Sequence, residues 1–223
     1  MRFRICLLLA ALLMPSAVQA QWRAGTYLGA SFNMFSMDLQ YMTDYKLDGL
    51  PGAAMGVTGQ YDLSDWLALR ADLNLVQKNY RQHRVALSSV DYWYRNTYLQ
   101  LPVMASFSFG GRQLRGFCNL GVYGGVWLDS RREGTDYNYF SRAVSPHISF
   151  NERLPFNQER DCRWDFGFLG GLGAEYRFAW NWAARAEVNC YYSVVSTTKQ
   201  YMRVKDYRYN TTVALQLGAV YSF

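Results

Sequence analysis

Six charged residues of this chain sit at matching spacings of two: Arg70 and Asp72, Glu175 and Arg177, Arg185 and Glu187. On an extended backbone, residues two apart point to the same face. Cations and carboxylates gathered on one enclosed face have two uses. They can pair and close the space as a structural plug, because an unpaired buried charge is very costly. They can also line a gate or narrow path for ions. The pairing favoured by the sequence sets Arg185 and Glu187 against Glu175 and Arg177 on a hairpin partner.

The elements that carry these residues read as β-strands. Eight candidates lie near 22–35, 53–62, 66–78, 94–109, 115–128, 164–178, 183–195 and 208–223. Short connections fall around 62–65, 110–112 and 179–182; long ones cover roughly 36–52, 79–93, 129–163 and 196–207. One parity is free of charge: Leu67, Leu69, Ala71, Leu73 and Leu75, or Phe166, Phe168, Gly170, Leu172 and Ala174. The opposite parity holds Arg70, Asp72, Asn74, Gln100, Asp165, Glu175, Arg177 and Gln216. Such period-two alternation marks strands with one apolar and one polar face. Pro102 lacks an amide donor, yet the alternation runs through it, so one missing ladder bond is expected there and no bulge.

Parity alone does not say which face is outside. A soluble calycin hides its apolar face, and a membrane barrel displays it. The polar face mixes Arg, Asp, Glu and Gly, unlike an apolar ligand cup. Tryptophans cluster near strand ends: Trp22, Trp66, Trp180 and Trp182 on one side, Trp93, Trp127 and Trp164 on the other. Two interfacial girdles explain that distribution. The expected fold is therefore an all-β, eight-stranded antiparallel transmembrane β-barrel, an up-and-down meander with a side-chain-filled lumen.

The ends agree with this address. Arg2 and Arg4 precede the apolar run Ile5 to Met14, and Val18-Gln19-Ala20 offers small residues before Gln21. Residues 1–20 read as a secretory signal peptide, too short to span a membrane. Residues 21–223 form the barrel domain, exported through the inner membrane to the outer membrane. The last strand ends in Tyr221 and Phe223, the expected insertion signal for the barrel assembly machinery. Without the signal segment the charge is 21 − 17 = +4. No nucleic-acid partner is expected for such an exported chain, and a monomer is. Cys118, Cys162 and Cys190 cannot all pair internally; Cys118 and Cys190 fall at lipid-facing positions. No metal-ligand spacing or cofactor motif is present.

Several stretches resemble a known family. Tyr98-Leu99-Gln100-Leu101-Pro102-Val103 is similar to the "YLEIPL" strand of the PorT-like outer-membrane β-barrel family. Asn119 to Gly125 and Gly167 to Tyr176 are similar to other strands of that family, the second to its "GxGxEY" pattern. Gln100 stands where the family often has Glu. The resemblance implies an eight-stranded outer-membrane barrel, and no role in secretion is carried over from it.

Function is then expected in the loops. The 129–163 loop has Arg131, Arg132, Arg142, Arg153, Arg160 and Arg163, balanced by six acids and interleaved with Tyr137, Tyr139, Phe140, Phe150 and Phe156. It reads as an interaction surface for a protein or glycan, or equally as a mobile surface segment. Arg81, Arg84, Lys199, Arg203 and Lys205 make two further loops basic, suited to lipopolysaccharide phosphates. An enzyme acting on lipid A would need His, Ser and an acid. Only His83 and His147 are available, with Ser88, Ser89, Ser145 and Ser149 near them in ordinary polar loops. The expected function is a non-enzymatic scaffold for recognition or envelope assembly; the alternatives are a narrow pore for ions or small solutes and, more distantly, a lipid A modifying enzyme.

Overall fold

The computed structural model describes residues 22–37, 44–86, 89–137, 147–199 and 207–223. The expected signal segment, Arg203, Lys205, Arg142, Tyr139, Phe140, Ser88 and Ser145 lie outside the described residues. The strands are β1 (Trp22–Met37), β2 (Tyr45–Asp62), β3 (Leu67–Gln77), β4 (Tyr80–Arg84), β5 (Asp91–Gly110), β6 (Leu114–Tyr137), β7 (His147–Arg153), β8 (Trp164–Arg177), β9 (Trp182–Ser193) and β10 (Arg208–Ser222).

Eight of these close a ring of antiparallel pairs. The order is β1, β2, β3, β5, β6, β8, β9 and β10, and β10 pairs back onto β1 from Arg23–Ser222 to Met37–Arg208. Closure satisfies every backbone edge, which lipid cannot do. The other two strands belong to the extracellular end. β4 continues the line of β3 beyond Lys78 and Asn79, between β2 and β5. β7 folds back on the upper part of β6.

The short connections lie where expected, at one end. Gly110 opens the β5–β6 turn with φ of 115°, a left-handed conformation that glycine adopts without strain. Strand lengths differ from the expectation at the opposite end. β2 begins at Tyr45, β5 at Asp91, and β6 runs to Tyr137, so much of the supposed loop crown is paired sheet. The 129–163 stretch in particular holds the top of β6 and all of β7. Above the membrane both faces meet water, so the apolar alternation that marks a strand fades while the backbone pairing continues.

The apolar parity faces outward. Leu28, Leu120, Leu172 and Leu217 are all more than half exposed, as are Phe168 and Trp164. A continuous exposed apolar belt of this kind is a membrane surface, and it decides between the two readings that parity left open. Cys190 is exposed and Cys118 half-buried among these outward positions, both as free thiols. The core lies inside the ring, around Met104, Tyr123, Leu169, Tyr191 and Ala214.

Two local details follow from the chain. Pro102 keeps register with Tyr123 of β6, while the β3–β5 ladder skips from Ala71–Val103 to Asn74–Gln100, as its missing donor requires. The irregularity of β5–β6 lies instead between Thr97 and Tyr98, where Leu128 is the extra residue. Below that bulge Trp127 shares the inward face of Tyr98 and stacks on it, with ring centroids 5.7 Å apart and planes within 7°. Trp127 is therefore not part of the outer girdle to which sequence assigned it.

Candidate functional site

The inward parity of β3, β8 and β9 delivers the charged residues to one narrow space. Arg70, wholly buried, donates from Nε and Nη2 to Asp72, both at 2.8 Å. The same guanidinium donates to Glu187 from Nη1 at 2.5 Å and Nη2 at 2.8 Å, and to Thr58 Oγ1 at 2.9 Å. Arg185 donates from Nη2 to Glu175 Oε2 at 2.7 Å and to Gln60 at 2.8 Å. Its guanidinium carbon lies 5.0 Å from the centre of the Phe117 ring. Bidentate guanidinium–carboxylate geometry of this kind is the strongest pairing available to buried charges.

Arg177 does not join the network. It is half-exposed at the periplasmic end of β8 and makes no ion pair among the described residues. Arg23 of β1 takes that place, bonding Glu175 at 3.0 Å and Asp62 at 2.7 Å. Rim position is the reason: Arg177 is the last residue before the turn at Phe178, where water competes for the guanidinium.

Sequence reasoning also missed Lys78 and underused Asp165. Lys78 Nζ meets Asp165 Oδ2 at 2.6 Å, fully buried, and stands over the rings of Tyr98 and Tyr123 at 5.0 and 5.3 Å. Asp165 also accepts from Ser193 at 2.6 Å. Both positions follow the inward parity of their strands, so the signal was present. Together four cations (Arg23, Arg70, Lys78, Arg185) meet five carboxylates (Asp62, Asp72, Asp165, Glu175, Glu187) inside the ring.

A cavity bounded by Tyr27, Arg70, Arg185, Glu187 and Gln216 measures about 10 Å³, at the lower limit for one water. Small residues make room for the large ones. Gly56 lets Tyr27 Oη come within 2.7 Å of where a Cβ would stand, and Phe117 fills the equivalent position at Gly173.

The extracellular crown is also internally paired. Arg81 grips Asp91 through two 2.8 Å hydrogen bonds, and Arg84 reaches Asp44 at 2.8 Å. The hydrogen bond from Arg81 holds the Asp91 carboxyl below the usual range. The Ala86 amide, followed by Arg84, does the same for Asp44. Lys199 donates to the Gln158 carbonyl at 2.8 Å. These three residues, expected to meet lipopolysaccharide, thus already have partners within the chain. His83 Nδ1 lies 3.3 Å from Asp48, and the His147 ring sits edge-on to Tyr137 at 5.7 Å. At the other end Phe223 is exposed and stacks edge-on to Tyr221 at 5.1 Å, and its amide donates to the Trp22 carbonyl at 3.0 Å.

Residues 5–223 match the family model described as the outer membrane protein beta-barrel domain. No curated protein matches the chain. Among solved structures, the outer membrane protein OprG from Pseudomonas aeruginosa shares 14% identity over 92% of this chain and 96% of that one, with a TM-score of 0.52. The attachment invasion locus protein Ail of Yersinia pestis shares 12% over 91% and 99%, with a TM-score of 0.45. Neisserial surface protein A shares 13% over 90% and 97%, also at 0.45. A closed eight-stranded ring with its apolar face outward and a family match over nearly the whole length lead to one conclusion: this chain is an outer-membrane protein and belongs to the outer membrane protein beta-barrel domain family.

Proposed function

We propose that the protein is a non-conducting, non-enzymatic scaffold, whose extracellular sheet recognises a partner or supports assembly of the envelope. The observation that carries this reading is the lumen. Its ion pairs reach from wall to wall, and the cavity at Arg70 leaves about 10 Å³. A narrow ion path is disfavoured by that packing, since each buried charge already has a partner whose loss would be costly. Of the two histidines an enzyme would draw on, His83 faces Asp48 and His147 sits edge-on to Tyr137.

What rises beyond the membrane wall is the crown, and function on a rigid barrel resides in its loops. The same reading takes the chain to be a monomer, exported with cleavage before Gln21 and inserted through its last strand. The narrower PorT-like kinship rests on the Tyr98–Val103 and Gly167–Tyr176 motifs. Shortening the β6–β7 hairpin to a tight turn joining Gly134 to Phe150, which pair in register, tests the proposal. The trimmed barrel should fold, reach the membrane and reproduce the envelope defect of a strain lacking the protein. Full complementation by the trimmed chain would contradict it.

A further inference from the structure

Above the membrane, β5, β6 and β7 form a three-stranded sheet whose outer face continues the lipid-facing wall. Register places three arginines side by side on that face: Arg95 opposite Arg131, and Arg131 opposite Arg153. Their side chains are 59%, 66% and 72% exposed. Like charges directly opposite in a sheet destabilise it. Two carboxylates serve the three: Glu133 lies 3.5 Å from Arg95, and Asp129 lies 3.5 Å from Arg131 and also contacts Arg153. One cation is in excess, and all three guanidiniums keep donors toward solvent.

Height matters here. The apolar wall in this sector rises to the row Leu99, Val126 and Trp164, with Leu128 exposed just above it on β6. Arg95 lies four residues further along β5, about 13 Å at roughly 3.3 Å per residue, or about 10 Å of height on a strand tilted about 40°. That is the level of the outer-leaflet headgroups. Directly above the arginines, on the same face, is a groove of about 530 Å³ lined by Asp91, Trp93, Glu133, Thr135, Ser149 and Asn151. An aromatic ring bordered by carboxylates, hydroxyls and an amide suits the apolar faces and hydroxyl edges of a sugar.

From the bilayer upward, this face presents an apolar wall, a guanidinium row and a sugar-compatible groove. We infer that the outer face of the β5–β6–β7 sheet binds a phosphorylated glycolipid of the outer leaflet. Acyl chains lie against the wall, a phosphate sits on Arg95, Arg131 and Arg153, and the saccharide enters the groove beside Trp93. Arg81, held by Asp91, stands over the Trp93 ring at 5.8 Å and borders the groove, Arg84 is held by Asp44, and the site does not depend on whether the lumen conducts.

The full barrel folded in detergent, checked by heat-modifiable gel migration, is titrated with bisphosphorylated rough-type lipopolysaccharide and read by native mass spectrometry. Removing two charge-assisted contacts in Arg131→Gln/Arg153→Gln should weaken binding by about tenfold or more. The control Arg84→Gln/Lys199→Gln should stay within about twofold of the parent, since it removes the same charge elsewhere on the crown. Enzymatic dephosphorylation of the glycolipid should weaken binding to the unaltered protein by a similar factor. Equal binding by the Arg131/Arg153 variant, or by the unaltered protein to dephosphorylated glycolipid, would overturn the inference. So would displacement of the glycolipid by inorganic phosphate (a free-anion site) or by phosphatidylglycerol at equal concentration (a generic anionic-lipid surface).

Discussion

Arg70 and Glu187 are 117 residues apart in the chain and meet through two hydrogen bonds of 2.5 and 2.8 Å. Their strands, β3 and β9, lie four places apart in a ring of eight, so the pair bridges the barrel across its full width. Asp72 holds the other edge of the guanidinium. One side chain thereby ties two opposite walls together.

Removing Arg70 strands two carboxylates. Arg70→Met should cost about 3–5 kcal/mol, because it is the uncompensated charges that destabilise. Adding Asp72→Asn and Glu187→Gln should recover most of that loss. Urea unfolding from lipid vesicles checks both, and a triple variant no more stable than Arg70→Met would refute the network as the cause.

Packing is as tight as the pairing. Phe117 occupies the position a side chain on Gly173 would take. Gly173→Val should therefore destabilise the barrel by roughly 1–3 kcal/mol, and Phe117→Leu in the same chain should relieve it. If the second change deepens the loss, the two residues do not compete for that space.

Acid should leave the rim pairs intact over a wide range. The carboxyls of Asp91 and Asp44 are held below the ordinary aspartate value by Arg81 and by the Ala86 amide. A depressed folded-state value gives stability that is present above the unfolded value, near about 3.9, and lost only as pH falls through the lower folded one. Carbon-detected NMR of the folded barrel should show both carboxyls titrating below a free aspartate. Midpoints at or above the ordinary value would contradict the pairing.

The C-terminal edge carries a separate expectation. Phe223 is exposed at the periplasmic rim, edge-on to Tyr221, with its amide bonded to the first residue of β1. Little folded stability depends on that ring, so its deletion should act on biogenesis. Outer-membrane levels should fall severalfold while the refolded protein keeps its unfolding midpoint. Undiminished levels would remove the insertion role.

Much of the architecture could be read from alternation. Leu67 to Leu75 and Phe166 to Ala174 declared an apolar face, and the structure turns that face outward. The strand ends were harder, since β2 from Tyr45 to Gly52 and the top of β6 pair without an apolar face to mark them. Partner choice inside the ring was harder still. Parity shows that Arg70 and Glu187 look inward, but which walls face each other depends on the closed ring. Arg177 shares the inward parity and stays at the rim, whereas Arg23, at the very start of β1, reaches Glu175. The arginine row escaped notice for the same reason: Arg95, Arg131 and Arg153 become neighbours only through register.

If the Arg70–Glu187 bridge seals the lumen, the folded barrel carries no ions. Planar-bilayer recording of the folded protein tests it most directly, with heat-modifiable migration verifying closure of the same sample. A silent membrane is expected, with conductance emerging only when the bridge is dismantled, as in Arg70→Ala with Glu187→Ala. Steady single-channel conductance from the unaltered protein would contradict it, and would make Arg70, Glu175 and Glu187 the lining of a path instead of a plug.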